Sequence, residues 1–130
     1  MKHLFCFTFL FLSLSSIITA QEEEQSVTSY NASLIGEWVI DLRPTPHAEG
    51  YFQPFIVESI EGNTINGTFY GSNLENALLN DNWEKLYFAF TTNDGTNEYY
   101  HSGYLLDGKL FGITYCPDRK FTAPWTGSKK

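Results

Sequence analysis

The stretch SLIGEWVIDLR, residues 33–43, decides the fold prediction because it is the first segment of the chain that can enter a folded core. Its apolar residues Trp38 and Ile40 alternate with Glu37 and Asp41 at a spacing of two, which is the pattern of a strand with one buried face. The sequence therefore predicts a first β-strand over residues 34–43, with Trp38 as its buried anchor.

The chain before this strand is predicted to be an export signal followed by a polar leader. Residues 1–20 combine a short basic start, an apolar run and a small-residue exit ending at Ala20, which are the three parts of a secretory signal peptide. The apolar run is shorter than the ~20 residues of a membrane-spanning helix. An uncleaved anchor is the alternative. Residues 21–33 form an acidic, flexible leader, and residues 34–130 form the folded domain of a secreted or periplasmic protein.

Net charge indicates which partners are unfavourable, and cysteine content indicates whether disulfides can stabilise the fold. The chain has 8 basic and 15 acidic residues and a formal net charge of −7, so nucleic acid and anionic membranes are poor partners. Once Cys6 leaves with the signal peptide, Cys116 has no internal disulfide partner. Stability must therefore come from a hydrophobic core.

The rest of the chain predicts an all-β domain. Short aromatic and β-branched runs alternate with turn residues about every 8–12 positions. The predicted strands are residues 34–43, 52–60, 63–71, 74–80, 83–92, 97–106, 109–116 and 120–126. Eight strands joined by short turns predict an antiparallel up-and-down (meander) β-barrel, because closure leaves no exposed edge strand. Glycines within the strands, such as Gly103 and Gly112, indicate curvature or close packing.

Several predicted strands are aromatic on both faces. Phe88 and Phe90 alternate with Tyr87, and His101 alternates with Tyr100, Ser102 and Tyr104. Only one face of each strand can line the barrel, and a dense band of tyrosines is typical of contact surfaces. The sequence therefore predicts a homo-oligomer formed through outer-face tyrosines.

The chain resembles the calycin group of small barrels, which includes lipocalins and avidins. Residues 36–38 are similar to the Gly-x-Trp opening of their first strand, and the likeness to avidins continues through residues 36–42, 67–70 and 102–104. The resemblance implies an eight-stranded barrel that binds a small molecule. It does not imply biotin, because Ile40, Phe69 and His101 stand where avidins carry Asn, Tyr and Trp. Lipocalins also place a late Arg over the Trp, and Arg119 is the predicted counterpart.

The predicted ligand site is a set of large or polar side chains on the barrel strands, the usual lining of a small-molecule site. These residues are Trp38, Phe69, Tyr70, Phe88, Tyr99, His101, Tyr115 and Trp125. The alternative is that they fill the core. No metal site is predicted, since the folded domain has two histidines and no His-x-His or Cys-x-x-Cys pattern, and no cofactor is predicted.

The sequence predicts an exported protein that binds a small apolar or aromatic ligand without catalysis. One alternative is a protein-interaction or structural module, which predicts a filled barrel and a tyrosine-rich outer patch. The other is an isomerase-like barrel enzyme, which predicts an acid or base of perturbed pKa in an open barrel end. Asn31 and Asn66 lie in glycosylation sequons, which matter only in a host that glycosylates exported proteins.

Overall fold

A computed structural model describes residues 31–130. The predicted signal peptide and the predicted leader as far as residue 30 lie outside the described residues. The strands of the described chain are β1 (Gly36–Asp41), β2 (Phe52–Glu61), β3 (Thr64–Phe69), β4 (Ser72–Asn73), β5 (Glu75–Asn80), β6 (Leu86–Asn93), β7 (Glu98–Leu106), β8 (Lys109–Cys116) and β9 (Phe121–Lys129).

These strands form one closed antiparallel sheet. Each strand from β5 to β9 pairs with the next, and β9 pairs with β1, β1 with β2, and β2 with β3. Strand β3 pairs with both β4 and β5, so these two short pieces share one position in the wall. The predicted eight-stranded antiparallel up-and-down barrel is therefore confirmed.

The main difference from the predicted strands lies at the shared position of β4 and β5. The prediction begins this strand at residue 74, whereas pairing with β3 already begins at Ser72. Asn76 has a φ of 51°, and the register with β6 shifts between Glu75 and Leu78. This irregularity breaks the spacing of two on which strand prediction depends.

Alternate residues of the strands fill the barrel interior. Trp38 and Ile40 on β1 are buried, whereas Glu37 and Val39 face outward, as the alternation in the sequence predicts. The buried apolar core consists of Leu34, Trp38, Ile40, Phe55, Val57, Ile65, Phe69, Ala77, Leu79, Leu86, Phe88, Phe90, Leu105, Leu110 and Trp125.

Gly103 and Gly112 lie opposite each other on β7 and β8 and leave room for two large rings. A Cβ on Gly112 would lie 2.2 Å from the Trp125 ring, and one on Gly103 would lie 2.9 Å from the Phe88 ring. The two rings stack with their centroids 6.3 Å apart. These two glycines therefore serve close packing inside the barrel.

The Trp38 ring is covered by a lysine from the last strand. Lys129 Nζ lies 5.1 Å from the ring centroid and donates to the carbonyl oxygens of Ser33 and Ile35 at 2.8 and 2.6 Å. The prediction that Arg119 covers Trp38 is wrong. Arg119 lies in the turn between β8 and β9, whereas Lys129 is the residue registered opposite Trp38.

Candidate functional site

A chain of hydrogen bonds joins buried polar side chains of four inward-facing positions. Thr92 Oγ1 lies 2.9 Å from His101 Nε2, and Thr114 Oγ1 lies 2.8 Å from His101 Nδ1. Trp125 Nε1 donates to the same Thr114 oxygen at 3.1 Å. Strands β6 to β9 each contribute one of these residues, and pairing of the neighbouring strands brings them together.

His101 is held neutral by this environment. Its side chain is 5% exposed, and burial lowers its pKa to about 4 because the interior disfavours the charged ring. A neutral imidazole donates from one nitrogen and accepts at the other. With the proton on Nε2, the ring donates to Thr92 and accepts from the Thr114 hydroxyl. Both nitrogens are then engaged, so the ring stabilises the wall.

Aromatic rings surround His101 on the interior side. The ring centroids of Phe69 and Phe90 lie 4.5 and 4.7 Å from that of His101, and the Tyr99 centroid lies 6.4 Å away. The ring of Phe55 contacts Phe69 at 5.4 Å. These separations are those of direct aromatic contact, so side chains occupy the interior at this level.

The barrel end above these rings is formed by loop 43–50 and the turns at residues 70–71, 94–97 and 117–120, and it is here named the mouth. The turn at residues 94–97 holds the Asp94 carboxylate in a fixed orientation. Asp94 Oδ1 accepts from the backbone N–H groups of Thr96 and Asn97 at 2.9 and 2.7 Å, and Oδ2 accepts from the Tyr99 hydroxyl at 2.9 Å. These hydrogen bonds hold the pKa of Asp94 below its usual value, so the mouth carries a fixed carboxylate.

Arg119 supplies the cation of the mouth. Its Nη1 donates to the Tyr99 hydroxyl at 2.9 Å. The guanidinium carbon lies 6.0 Å from the centroid of the Tyr99 ring and 5.4 Å from that of Phe121, within the range of cation–π contact. The bond to Tyr99 raises the pKa of Arg119. Tyr99 therefore bridges a fixed anion and a fixed cation.

Two further tyrosines complete the mouth. The hydroxyls of Tyr51 and Tyr70 are hydrogen-bonded to each other, and their rings are 45% and 46% exposed. The bond to Tyr51 and partial burial raise the pKa of Tyr70. Tyr51 is anchored because its N–H donates to Asp41 Oδ1 at 3.3 Å and its carbonyl accepts from Leu42 N–H at 2.8 Å. This anchoring closes the loop that follows β1.

Of the eight predicted site residues, the structure places Tyr70 and Tyr99 at the mouth and Phe69 and His101 buried directly below it. Phe88 and Trp125 lie deeper and contact the same ring cluster. Trp38 packs against the Leu34 turn, since its Nε1 donates to Leu34 O at 2.8 Å. Tyr115 is 53% exposed on the outer face, where its ring contacts Tyr100.

Sequence reasoning missed several residues of this arrangement. Thr92 and Thr114 carry a usable signal, because they continue the inward alternation of Phe88 and Phe90 on β6 and of Leu110 on β8. Tyr51 carries none, because the loop before it has no period that fixes where its side chain points.

Within residues 31–130, no group of three or more histidine, cysteine, aspartate or glutamate side chains is placed to hold a metal ion. No helix in the described part of the chain is long and apolar enough to cross a membrane.

The fold and the site define an antiparallel β-barrel with an aromatic, hydrogen-bonded mouth. Comparisons of the chain with models of protein families, with curated proteins and with solved structures found no match.

Proposed function

We propose that the protein is an exported binding protein that takes a small aromatic or apolar ligand at the barrel mouth. The observation that carries the proposal is that the Tyr51–Tyr70 pair and the Tyr99–Arg119 pair lie at the barrel end next to the Phe69–His101 ring pair. Tyr99 is near enough to contribute to the raised pKa of Tyr70. Apolar walls with a few converging polar groups are the usual anatomy of a small-molecule site.

The calycin type is part of this proposal. Its support is the Gly36–Trp38 opening of β1, the closed eight-position wall and the cation that covers Trp38. In this chain Lys129 takes the place that the resemblance to lipocalins gives to an arginine. The likeness favours a protein that binds small molecules, although the biotin-contact pattern is absent from the sequence.

The chemistry of the mouth selects among ligands. The exposed Tyr51 and Tyr70 rings offer faces for stacking, and the guanidinium of Arg119 attracts an acceptor or an anionic group. The negative charge of the Asp94 carboxylate repels an anion placed beside it, so an acidic substituent belongs on the Arg119 side of Tyr99. A planar aromatic ligand with one acidic or acceptor substituent fits these features best.

Native mass spectrometry of the exported protein tests for a co-purifying small molecule. Titration with 1-anilinonaphthalene-8-sulfonate, an aromatic anionic dye, then tests the site. Arg119→Gln and Tyr70→Ala are each expected to weaken dye binding about tenfold, equivalent to ~1.4 kcal/mol. Tyr115→Ala on the outer face is the matched control. Unchanged binding in both mouth variants, with a loss in Tyr115→Ala, would place the dye outside the mouth and reject the proposal.

An interaction module is the second candidate function. It is favoured because aromatic rings in mutual contact occupy the interior, while large apolar side chains such as Leu78, Ile113 and Tyr115 are 46–53% exposed on the outer wall. Exposed apolar patches of this kind mark protein contact sites.

A further inference from the structure

The outward residues of β5 to β9 form three rows that the strand register fixes. The first row is aromatic and contains Tyr87, Tyr104 and Phe111. The central row has smaller side chains and contains Leu78, Ala89, Ser102, Ile113 and Pro124. The third row contains Tyr100 and Tyr115. Direct pairing of these residues across β5 to β9 sets each row.

These rows shape a groove on the outside of the barrel. Ring centroids in the first row lie 6.0 Å apart for Tyr87 and Tyr104 and 5.4 Å apart for Tyr104 and Phe111, and those of Tyr100 and Tyr115 lie 6.3 Å apart. The two aromatic rows form ridges, and the central row forms the floor. A cavity of about 1080 Å³ lies over the floor and the first ridge and extends to residues 41–46 and 80–82. We name this surface the outer groove.

The residues of the three rows are uncharged, although the chain carries a formal net charge of −7. The charged side chains that line the cavity over them lie at its edge and are the Arg43–Asp41 ion pair and Asp81. Charges of opposite sign lie at its two borders. Lys85 and Lys109 flank the first ridge, with Lys85 Nζ 4.7 Å from the Tyr104 ring centroid. Glu98 flanks the third row and accepts from the Tyr100 hydroxyl at 3.1 Å. Asp118 lies close enough to contribute, after Glu98, to a raised pKa of Tyr100.

The footprint suits a modest protein interface. Five strands about 4.8 Å apart, and three rows about 6.8 Å apart with their borders, cover roughly 24 by 20 Å, or about 500 Å² in projection. The accessible area of a ridged surface exceeds its projection, and stable interfaces begin at about 600 Å² per partner. An interface of this size is at the lower end of the stable range.

We infer that the outer groove binds a second copy of this chain. Each strand of one copy then runs opposite to the equivalent strand of the other copy. This inference rests on the interaction-module candidate. Two acidic copies repel each other least where they approach through these uncharged rows. Two-fold symmetry then brings the lysine border of each copy to the acidic border of the other, so the favourable contact forms twice. The turns around both borders carry charges of both signs. The orientation is therefore assigned to the charged residues next to the aromatic ridges, which are Lys85 and Lys109 at one border and Glu98 and Asp118 at the other.

Sedimentation velocity of the exported protein across 1–100 µM, a range of roughly micromolar affinities, tests the dimer. The wild type is expected to dimerise within this range. Ile113→Glu places a charge in the groove floor and is expected to leave a monomer with an unchanged circular-dichroism spectrum. Val39→Glu is the matched control, because Val39 is an aliphatic outward residue of β1 and is 36% exposed outside the groove. A wild-type monomer throughout, or a dimer that survives Ile113→Glu, overturns the inference.

Charge reversal tests the orientation. The double variant K85E/K109E and the double variant E98K/D118K are each expected to weaken self-association at least tenfold, because like charges then meet at both ends. An equimolar mixture of the two is expected to dimerise more tightly than either alone. If equivalent strands of the two copies ran in the same direction, the lysine borders would meet each other and the acidic borders would meet each other. K85E/K109E would then leave self-association unchanged.

The dimer and the ligand site have separate readouts. Ile113→Glu is expected to bind the anilinonaphthalene dye as the wild type does, whereas Arg119→Gln is expected to dimerise as the wild type does. If Ile113→Glu lost dye binding together with dimerisation, the outer groove, and not the mouth, would be the dye site.

Discussion

His101 occupies a position that the strand pattern assigns to the apolar interior, although its side chain is polar. Its ring is tolerated there because both ring nitrogens form hydrogen bonds with Thr92 and Thr114 from neighbouring strands. The hydroxyls of Thr92 and Thr114 complete the hydrogen bonding of a neutral ring. A protonated ring has no nitrogen that can accept from Thr114, and in the interior its charge would also lack hydration. The buried network therefore stabilises the wall only while the ring is neutral.

The fold is expected to lose stability as the pH falls from about 6.5 to 4 because of His101. Its folded pKa of about 4 lies below the usual histidine value of 6.5. The unfolded chain therefore binds a proton in this range that the folded chain does not, so the contribution is complete above pH 6.5 and is lost as the pH falls. Between pH 7 and 4.5 the free energy of unfolding is expected to drop by about 2–3 kcal/mol from this residue.

Urea denaturation of wild type and His101→Gln at the two pH values measures this drop. The variant is expected to show a smaller fall than the wild type, whatever its absolute stability. His47→Gln, a change in the exposed loop after β1, should retain the wild-type dependence. Equal pH dependence in wild type and His101→Gln would show that the ring is not held neutral.

The alternation of side chains along a strand predicts which residues face inward, but not which residues of neighbouring strands they contact, and this limits how much of the candidate site the sequence could predict. Alternation correctly placed Trp38 and Ile40 inside and Glu37 outside, because each β1 face has a distinct polarity. It could not place Tyr115, because β8 carries apolar side chains on both faces. Contacts across strands, such as Tyr99 to Arg119, depend on turn geometry that no periodicity encodes.

At the scale of elements, the last strand holds the start of the first. Lys129 on β9 donates to Ser33 O and Ile35 O and lies over Trp38. This contact joins residues almost a hundred positions apart and seals the point where the chain enters the barrel. The resemblance to lipocalins predicts a late cation over Trp38, but the sequence does not encode the register of β1 and β9 that makes this cation Lys129 and not Arg119.

Lys129→Met is expected to lower the free energy of unfolding by about 1–2 kcal/mol, because it removes two charge-assisted hydrogen bonds and a cation–π contact. Lys130→Met is the matched control. Lys130 pairs with Glu37 at 2.8 Å on a solvent-exposed surface, where an ion pair contributes little. Chemical denaturation of the two variants measures the difference. Equal losses would show that Lys129 acts only as a surface charge.

At the scale of the whole molecule, the barrel wall is not uniform. Strands β6 and β7 are paired at eight consecutive positions from Leu86 to Asn93. Strands β3 and β5 share one registered pair, Thr64 with Leu78, beside the irregularity at Asn76. The sequence predicted closure, because an open meander leaves two edges. It could not predict which seam is weakest, because that depends on how β4 and β5 divide one wall position.

The β3–β5 seam is expected to open before the rest of the barrel. The Leu79 amide donates to Asn63 O across this seam at 2.8 Å, whereas the amides of β7 lie between two long ladders. Local opening exposes the seam without breaking those ladders, so native-state hydrogen exchange should show the Leu79 amide exchanging at least about a hundredfold faster than those at the centre of β7. Equal protection of both would mean that the barrel opens only by global unfolding, and the seam would then be as strong as the wall opposite.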